Sequence, residues 1–414
     1  MQKNRFQKFA ILGLLYVNLG RPQDVLPFLK DLHPGGVFSV LVLYVLFQDR
    51  HDNRAFNGDV HALKKWFGIF WLLMLFSTLS SIYFRASIEF IFEYSKVILL
   101  LWGLVSLLED EQDLISVAQV FAVSVLTLCL PLLAGGLSME RTSVGTFYDP
   151  NDIAMFIACA LPFVLFLLHA GKSRVRMVAL PALGSGIVSL IATQSRMGFL
   201  ALILNGLFYL FLSQVNSQSN LRKLALVGGM VLLFAFTAGD IYWDRIKTTF
   251  ETGQTGSGRT LVWERSLKML SEHPVVGVGP GTFISAYGRT LQAGGFETVG
   301  NEYDRAWKAA HNSYLVVAVE LGVGGFLAFL MIILASLRGL NRARKTPLSN
   351  EKQTQMRNLV NMVIASFGVY LFCAMFLSQA YSSLLMTLVA CSMLIARICA
   401  GSCEKVTESA RFGW

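Results

Sequence analysis

The chain has 414 residues, of which 54% are hydrophobic and only 15% charged, and it carries a formal net charge of +9. An average soluble domain has roughly 25% charged residues, so this composition excludes a soluble multidomain protein. The basic excess does not mark a nucleic-acid binder, because the lysines and arginines fall mainly between apolar runs, where they orient a membrane protein.

Lys3, Arg5 and Lys8 precede the apolar run from Phe9 to Leu19. This start imitates a signal peptide, yet no small-residue cleavage pattern stands before Gly20-Arg21-Pro22, and the run is expected to remain as a first membrane helix over 6–19. Further runs follow at 35–47, 66–84, 88–108, 114–134, 153–169, 177–193, 197–213, 224–240, 312–336, 359–377 and 381–398. They are too long and continuous for barrel strands, and backbone at hydrocarbon depth must satisfy itself, so about twelve transmembrane helices are expected. Segments on one side of this arrangement hold 21 Lys or Arg, whereas the short loops on the other hold five: Arg21, Lys30, Arg85, Arg141 and Arg196. That bias places both termini in the cytoplasm, and the acidic run over 109–113 counts little against it. The expected fold is an all-α polytopic integral membrane protein. Helices one to nine occupy 1–240, a long outer segment over 241–311 forms a small helical cap, and 312–414 holds the last three helices and a cytoplasmic tail. Glycines at 253–258, 277–281 and 294–295 punctuate the cap, with a helix expected from Leu261 to Ser271.

Ionisable groups at membrane depth are costly, which makes each a site to weigh. Glu89, Glu93 and Lys96 share one face of the fourth helix and are expected to form a self-neutralising trio turned toward the bundle, with substrate contact as the alternative. Asp149-Pro-Asn-Asp152 is expected to be a turn with Asn151 or Asp152 capping the next helix, in preference to a metal site. Arg196 lies in the short outer hairpin Gln194-Ser-Arg-Met-Gly198, and Arg259 opens a helix with Trp263 one turn along. Interfacial anchoring would explain the first arginine and solvation the second. Of six histidines, His311 is the best placed for chemistry, in His311-Asn-Ser-Tyr-Leu315 at the mouth of the tenth helix. Glu320 lies deeper in that helix and is expected to be a structural partner, while Gly322 and Gly325 permit close approach or a kink. Cys129, Cys159, Cys373 and Cys391 lie in apolar runs, with Cys399 and Cys403 beyond the last, so packing is expected and neither disulfides nor a metal site. Phosphate-cradling Gly-Lys-Ser/Thr, His-Glu-x-x-His and Gly-x-Ser-x-Gly motifs are all missing from the sequence.

Thr193-Gln-Ser-Arg-Met-Gly198, Gly258-Arg259 with Trp263, the run from His273 to Phe283, and His311-Asn-Ser-Tyr-Leu with Glu320-Leu-Gly stand in the order of the O-antigen ligase and polymerase family, which the chain resembles over about residues 140–336. Gly145-Thr-Phe-Tyr-Asp-Pro-Asn-Asp-Ile-Ala154 is similar to that family's Asn-bearing turn, and Gly20 to Pro27 is similar to a branch of O-glycosylation ligases found beside exosortase systems. The resemblance implies a metal-independent, cofactor-free glycosyltransferase of the multi-spanning helical type (GT-C-like), in the bacterial inner membrane with its active site on the periplasmic side. The donor would be a glycan on undecaprenyl diphosphate, and the acceptor a hydroxyl of lipid A core, protein or glycan. Arg196 and Arg259 would bind the diphosphate, His311 would serve as base or cationic stabiliser, and Trp263, Asn312, Arg305 and Lys308 would contact substrate. A repeat-unit polymerase is the near alternative, and a lipid or polysaccharide flippase the alternative from another class.

Overall fold

The computed structural model describes residues 2–48, 58–134, 149–170, 173–212, 228–229, 259–294, 308–346 and 350–412. Every regular element among the described residues is helical. In chain order these are α1 (Gln2–Leu19), α2 (Pro22–Val25), a 3-10 turn (Pro27–Leu29), α3 (Pro34–Gln48), α4 (Gly58–Leu79), α5 (Phe84–Leu107), α6 (Glu111–Ala134), α7 (Pro150–Ala170), α8 (Ser173–Ala192) and α9 (Arg196–Leu212). They are followed by α10 (Arg259–Glu272), α11 (Phe283–Gln292), α12 (Ser313–Lys345), α13 (Asn350–Cys373) and α14 (Ser383–Phe412). Eight, α4 to α8 and α12 to α14, are long and apolar enough to cross a membrane, and α3 and α9 are shorter apolar helices. The first expected span falls on α1. Of the span over 224–240 only residues 228–229 are described, so the expected twelve goes beyond what the helices establish, while the all-α multi-pass architecture is met.

The centre of the bundle is α7, packed by α6, α8, α9 and α13. A helix surrounded on all sides must be apolar all round, and Ile153 to Val164 supply this with small residues at Ala154, Ala158, Cys159 and Ala160, all buried. The small side chains let polar groups of neighbours reach the α7 backbone: Ser366 Oγ donates to Cys159 O at 2.7 Å and Asn205 Nδ2 to Ala158 O at 2.9 Å. Around this centre α12 lies along α4, α14 packs on α5 and α12, and α1 packs on α3 and α6. Large apolar side chains are also exposed on the perimeter, among them Val40, Phe47, Leu180 and Phe211. A soluble surface would not carry so many, whereas a lipid-facing one requires them.

Two expectations are corrected. The third span ends at Leu79 rather than at 84, because 80–83 form a turn whose Ile82 N–H donates to Val278 O at 3.1 Å in the cap. The charged trio on α5 does not face the bundle. Glu89 and Glu93 are exposed, and each finds its cation one turn away on its own helix: Arg85 Nε with Glu89 Oε1 at 3.0 Å, Lys96 Nζ with Glu93 Oε1 at 2.7 Å. Bundle-facing positions of the helix are filled by Ser87, Tyr94 and Leu101, which leave no room for charge.

The cap has its own small core. Val262 and Met269 of α10 meet Phe283, Tyr287 and Leu291 of α11 over Val316 and Val319 of α12. The expected 261–271 helix is therefore α10, slightly longer at both ends, and α11 is a second cap helix that the sequence reading did not anticipate.

Candidate active site

Four chain turns converge at one end of the bundle. The helix α7 opens at Pro150, whose ring needs no N–H partner in a first helical turn, so Asp149 becomes the cap. Asp149 Oδ1 accepts from Asn151 N at 2.6 Å and Asp152 N at 3.0 Å, which corrects the expectation that Asn151 or Asp152 would cap. Asn151 is thereby released to accept from Ser195 Oγ at 2.9 Å, and Ser195 in turn caps α9 by accepting from Gly198 N at 3.1 Å. Arg196, the next residue, is exposed at this rim and is engaged in an interaction of its own. Asp152 Oδ1 accepts from Gln379 Nε2 at 2.8 Å, and Gln379 N donates to Ser313 Oγ at 2.9 Å. Thus the starts of α7, α9 and α12 and the turn after α13 are joined by side-chain bonds.

His311 stands at the mouth of α12, half-buried, with φ +46°. A left-handed backbone at a non-glycine residue can mark functional strain. Here Gln194, Arg21 and His33 share it, each just ahead of a helix, so helix entry suffices as its cause. The surroundings of the ring carry more. Burial holds the His311 imidazole below its ordinary range, the Arg259 charge pushes it down further, and Asp149 pulls it back up. Arg259, at the start of α10, and Asp149, at the start of α7, are therefore the charged neighbours of His311. Trp263 fixes α10 in place, its indole N–H donating to Ala310 O at 2.9 Å, directly beside His311.

The remaining residues expected at the site divide. Asn312 Oδ1 accepts from Tyr314 N at 3.0 Å and Leu315 N at 3.1 Å, so its oxygen caps α12 and only its amide nitrogen is left to meet a ligand. Lys308 is half-buried beside this turn and interacts with a partner. Arg305 lies outside the described residues. Gln379, which bridges Asp152 and Ser313, was missed by the sequence reading; its only signal was a polar break, Ser378-Gln-Ala-Tyr-Ser382, between two apolar runs.

Below His311 the helix is broken. Gly322 has φ 68° and ψ −174° inside α12. The N–H of Val323, which would normally bond Val319 O, donates instead to Pro274 O at 2.9 Å, while Val319 O accepts from Val278 N and Glu320 O from Gly279 N, both at 3.0 Å. Glu320 O also accepts from Ser77 Oγ at 2.7 Å. The Glu320 side chain, 2% exposed, turns into the cap, where Oε1 accepts from Phe283 N at 3.0 Å and so serves the first turn of α11 in place of a local cap. The glycine loop 273–282 and the break thus form one knot. Gly277 is needed there because a Cβ would lie 2.3 Å from Glu320 O, and Gly325 lies one turn further on, where a Cβ would meet Leu321. Among the described residues no group of three or more His, Cys, Asp or Glu is placed to hold a metal ion.

Comparison with known proteins places residues 181–330 in a match to the family model described as O-antigen ligase, just over a third of the chain. The match runs from within α8 to within α12 and includes Arg196, Arg259, Trp263, Arg305, Lys308, His311, Asn312, Glu320, Gly322 and Gly325. No curated protein matches the chain. The family match supports membrane glycosyl transfer of the O-antigen ligase and polymerase type as the activity.

Proposed function

We propose that this multi-pass membrane protein, which carries an O-antigen ligase domain over residues 181–330, transfers a glycan from undecaprenyl diphosphate to an acceptor hydroxyl on the periplasmic face of the inner membrane. The observation that carries this reading is the grouping of His311 with Arg259 and Asp149 at the rim where Arg196 also emerges. The acceptor oxygen attacks the anomeric carbon, its proton passes to His311, and the bond from that carbon to the diphosphate oxygen breaks with its electron pair leaving on the diphosphate. His311 is suited to the proton because its lowered pKa keeps it neutral near pH 7. Guanidinium forks match phosphate oxygens bidentately and act more strongly in a partly dehydrated site, which is the role we give Arg196 and Arg259. The short links among α7, α9, α12 and α13 hold these groups to rigid helix ends.

The test is transfer by the purified protein in vesicles, with an undecaprenyl-diphosphate-linked glycan as donor. Arg196→Ala and Arg259→Ala are expected to lose about 10²-fold or more in rate at subsaturating donor, with Arg→Lys milder at each position because charge survives while the fork is lost. Wild-type rates in both alanine variants would remove the phosphate clamp from the mechanism. Absence of any transfer by the wild-type protein, with donor and a panel of lipid, protein and glycan acceptors supplied, would remove glycosyl transfer itself.

Sidedness has its own expected result. Cysteines introduced at Gln292 in the cap and at Thr346 after α12, in a background without reactive thiols, should separate cleanly. An impermeant external reagent should label Gln292→Cys in intact spheroplasts and spare Thr346→Cys; the reverse pattern would overturn the periplasmic placement of the cap.

A further inference from the structure

Two helices that flank α5 stop well short of the membrane face that carries the cap. The opposite face is marked by the end of α5 at Leu107, where Lys8 Nζ pairs with Asp113 Oδ1 at 2.6 Å and Arg397 Nη1 donates to Val105 O at 2.6 Å. Gly103 lies four residues, or about 6 Å, above that end. There α1 and α3 cross α5, since a Cβ on Gly103 would lie 2.6 Å from Ile11 Cδ1 and 3.0 Å from Val42 Cγ1. From Ile11 up to the end of α1 at Leu19, and from Val42 up to the start of α3 at Pro34, is eight residues, or about 12 Å. Both helices therefore end about 18 Å above Leu107, short of the far edge of a hydrocarbon core about 30 Å thick. The helix α6 gives the same height independently. A Cβ on Gly20 would lie 3.0 Å from Ser124 Oγ, and Ser124 is 13 residues, or about 20 Å, along α6 from Glu111.

What lies at and above this level is polar. The tip from Gly20 to His33, which joins α1 to α3, contains no regular element longer than four residues and exposes Lys30, Asp31 and His33 beside Phe28 and Leu32. Hydrocarbon does not accept lipid-exposed irregular backbone, whereas charged and apolar side chains in alternation suit a headgroup layer. On α5, Glu93, Glu89 and Arg85 follow at about 21, 27 and 33 Å above Leu107, and Lys96 at about 16 Å reaches up one turn to Glu93. The side chains of Glu93, Glu89 and Arg85 are 67%, 66% and 94% exposed. Pairing along the helix reduces the cost of these charges, but an exposed ion pair at hydrocarbon depth still lacks the water it needs. The adjacent helix shows that the bilayer is not thin all round. Trp71 of α4 meets Tyr94 of α5 with ring centroids 6.2 Å apart, which puts Phe76 at about 27 Å, level with Glu89. There α4 presents a phenyl ring that is 58% exposed.

We propose that the cap-side leaflet is indented at the flank of α1, α3 and α5, where phospholipid headgroups descend by about 10 Å to lie on the 20–33 tip and against Arg85, Glu89, Glu93 and Lys96. A bilayer meets helices shorter than its core by thinning locally. The two cations and two anions on α5 complement zwitterionic heads, with phosphate to Arg85 and Lys96 and ammonium to Glu89 and Glu93. A protein partner is disfavoured here, because it would dehydrate four charges that already pair with one another. The inference depends neither on the glycosyl-transfer reading nor on which face of the membrane is periplasmic.

The experiment places a nitroxide on the full chain in phosphatidylcholine vesicles, at Phe92→Cys or Ile88→Cys on α5 and at Phe76→Cys on α4, in a background without reactive thiols. All three positions are exposed. Power saturation then measures collision with oxygen, with a water-soluble nickel chelate, and with the same chelate carried on a phospholipid head. Phe92 stands at about 22 Å, nominally deeper than Phe76. In a flat bilayer it would therefore be the more oxygen-accessible and the less nickel-accessible of the two. The indentation predicts the reverse order: both α5 sites severalfold more accessible than Phe76→Cys to both nickel probes, and less accessible to oxygen. The flat-bilayer order would overturn the inference. So would collision with the soluble chelate alone, which means a water-filled cleft without lipid heads, or exclusion of all three probes, which means cover by a second copy, another protein or a further segment of this chain. Either α5 site suffices if the other variant is not recovered.

Discussion

His311→Ala is expected to lower the transfer rate about 10²- to 10⁴-fold while leaving the yield and thermal stability of the protein close to wild type. The imidazole is half-buried and makes no bond on which α12 depends, since that helix is capped by Asn312. The pH profile then distinguishes how the ring acts. A base works in its neutral form, and burial with Arg259 lowers the His311 pKa, so activity should stay level through neutral pH and fall only below the ordinary histidine range. A cationic clamp on the departing diphosphate would give the opposite limb, with activity falling as pH rises. Neighbours should move the acid limb in opposite senses. Asp149→Asn keeps a capping oxygen for α7 but removes the charge that raises the His311 pKa, so the limb should move to lower pH. Arg259→Lys should leave it nearly in place, because the positive charge remains. Wild-type turnover by His311→Ala would exclude the histidine from the mechanism.

Gly322→Ala is expected to abolish recovery of folded protein. At φ 68° and ψ −174° the backbone is in a region open in practice only to glycine, at a cost of about 1–3 kcal/mol for any other residue. The added Cβ would also lie 2.5 Å from Val275 O, a backbone atom that cannot rotate aside. Relief requires the loop to retreat, and the carbonyl of Val319 and the N–H of Val323 then lose their partners at about 1–3 kcal/mol each, while Glu320 O keeps only Ser77. Against the 5–15 kcal/mol by which folded proteins are typically stable, that sum is decisive. Gly324→Ala is the control: its Cβ would find only Leu73 carbons at 3.8 Å, an ordinary contact, in a stretch that is helical. Comparing the monodisperse fraction of the two variants after size exclusion in mild detergent checks this, and equal recovery would show that the break tolerates a side chain.

The helices were legible because membrane spans advertise themselves: hydrocarbon thickness sets their length and apolarity their composition, so α4 to α8 and α12 to α14 stand where the apolar runs are. Boundaries set by tertiary bonds were not. The end of α4 depends on Ile82 meeting Val278, nearly two hundred residues away, and hydropathy carries no trace of that. Asp149 outranked Asn151 as cap because Pro150 fits the first helical position, a rule the sequence contained but that three adjacent capping residues obscured. At the site, Arg196, Arg259 and His311 stood out by chemistry and position. Gln379 did not, since a glutamine in a short turn has a role only once Asp152 and Ser313 are seen on either side of it. The α5 charges misled for the opposite reason: three ionisable groups on one face suggest a buried network, but local pairs with Arg85 and within the trio answer them on the exposed side.

The knot at Gly322 also constrains how the protein can be made. The loop over 273–282 leaves the ribosome before α12, yet the carbonyls of Val319 and Glu320 and the N–H of Val323 take their partners from that loop and not from the helix. Lipid offers no substitute donors or acceptors. Until the loop has folded back, α12 can satisfy these groups only as an unbroken helix through Gly322, with Val323 N–H on Val319 O. Docking of the loop therefore exchanges helix bonds for loop bonds, and a chain stalled with the helix broken but the loop undocked would present an open backbone to the bilayer. The boundary between cap and membrane helix, natural to draw at residue 311 from hydropathy, cuts through one hydrogen-bonded unit.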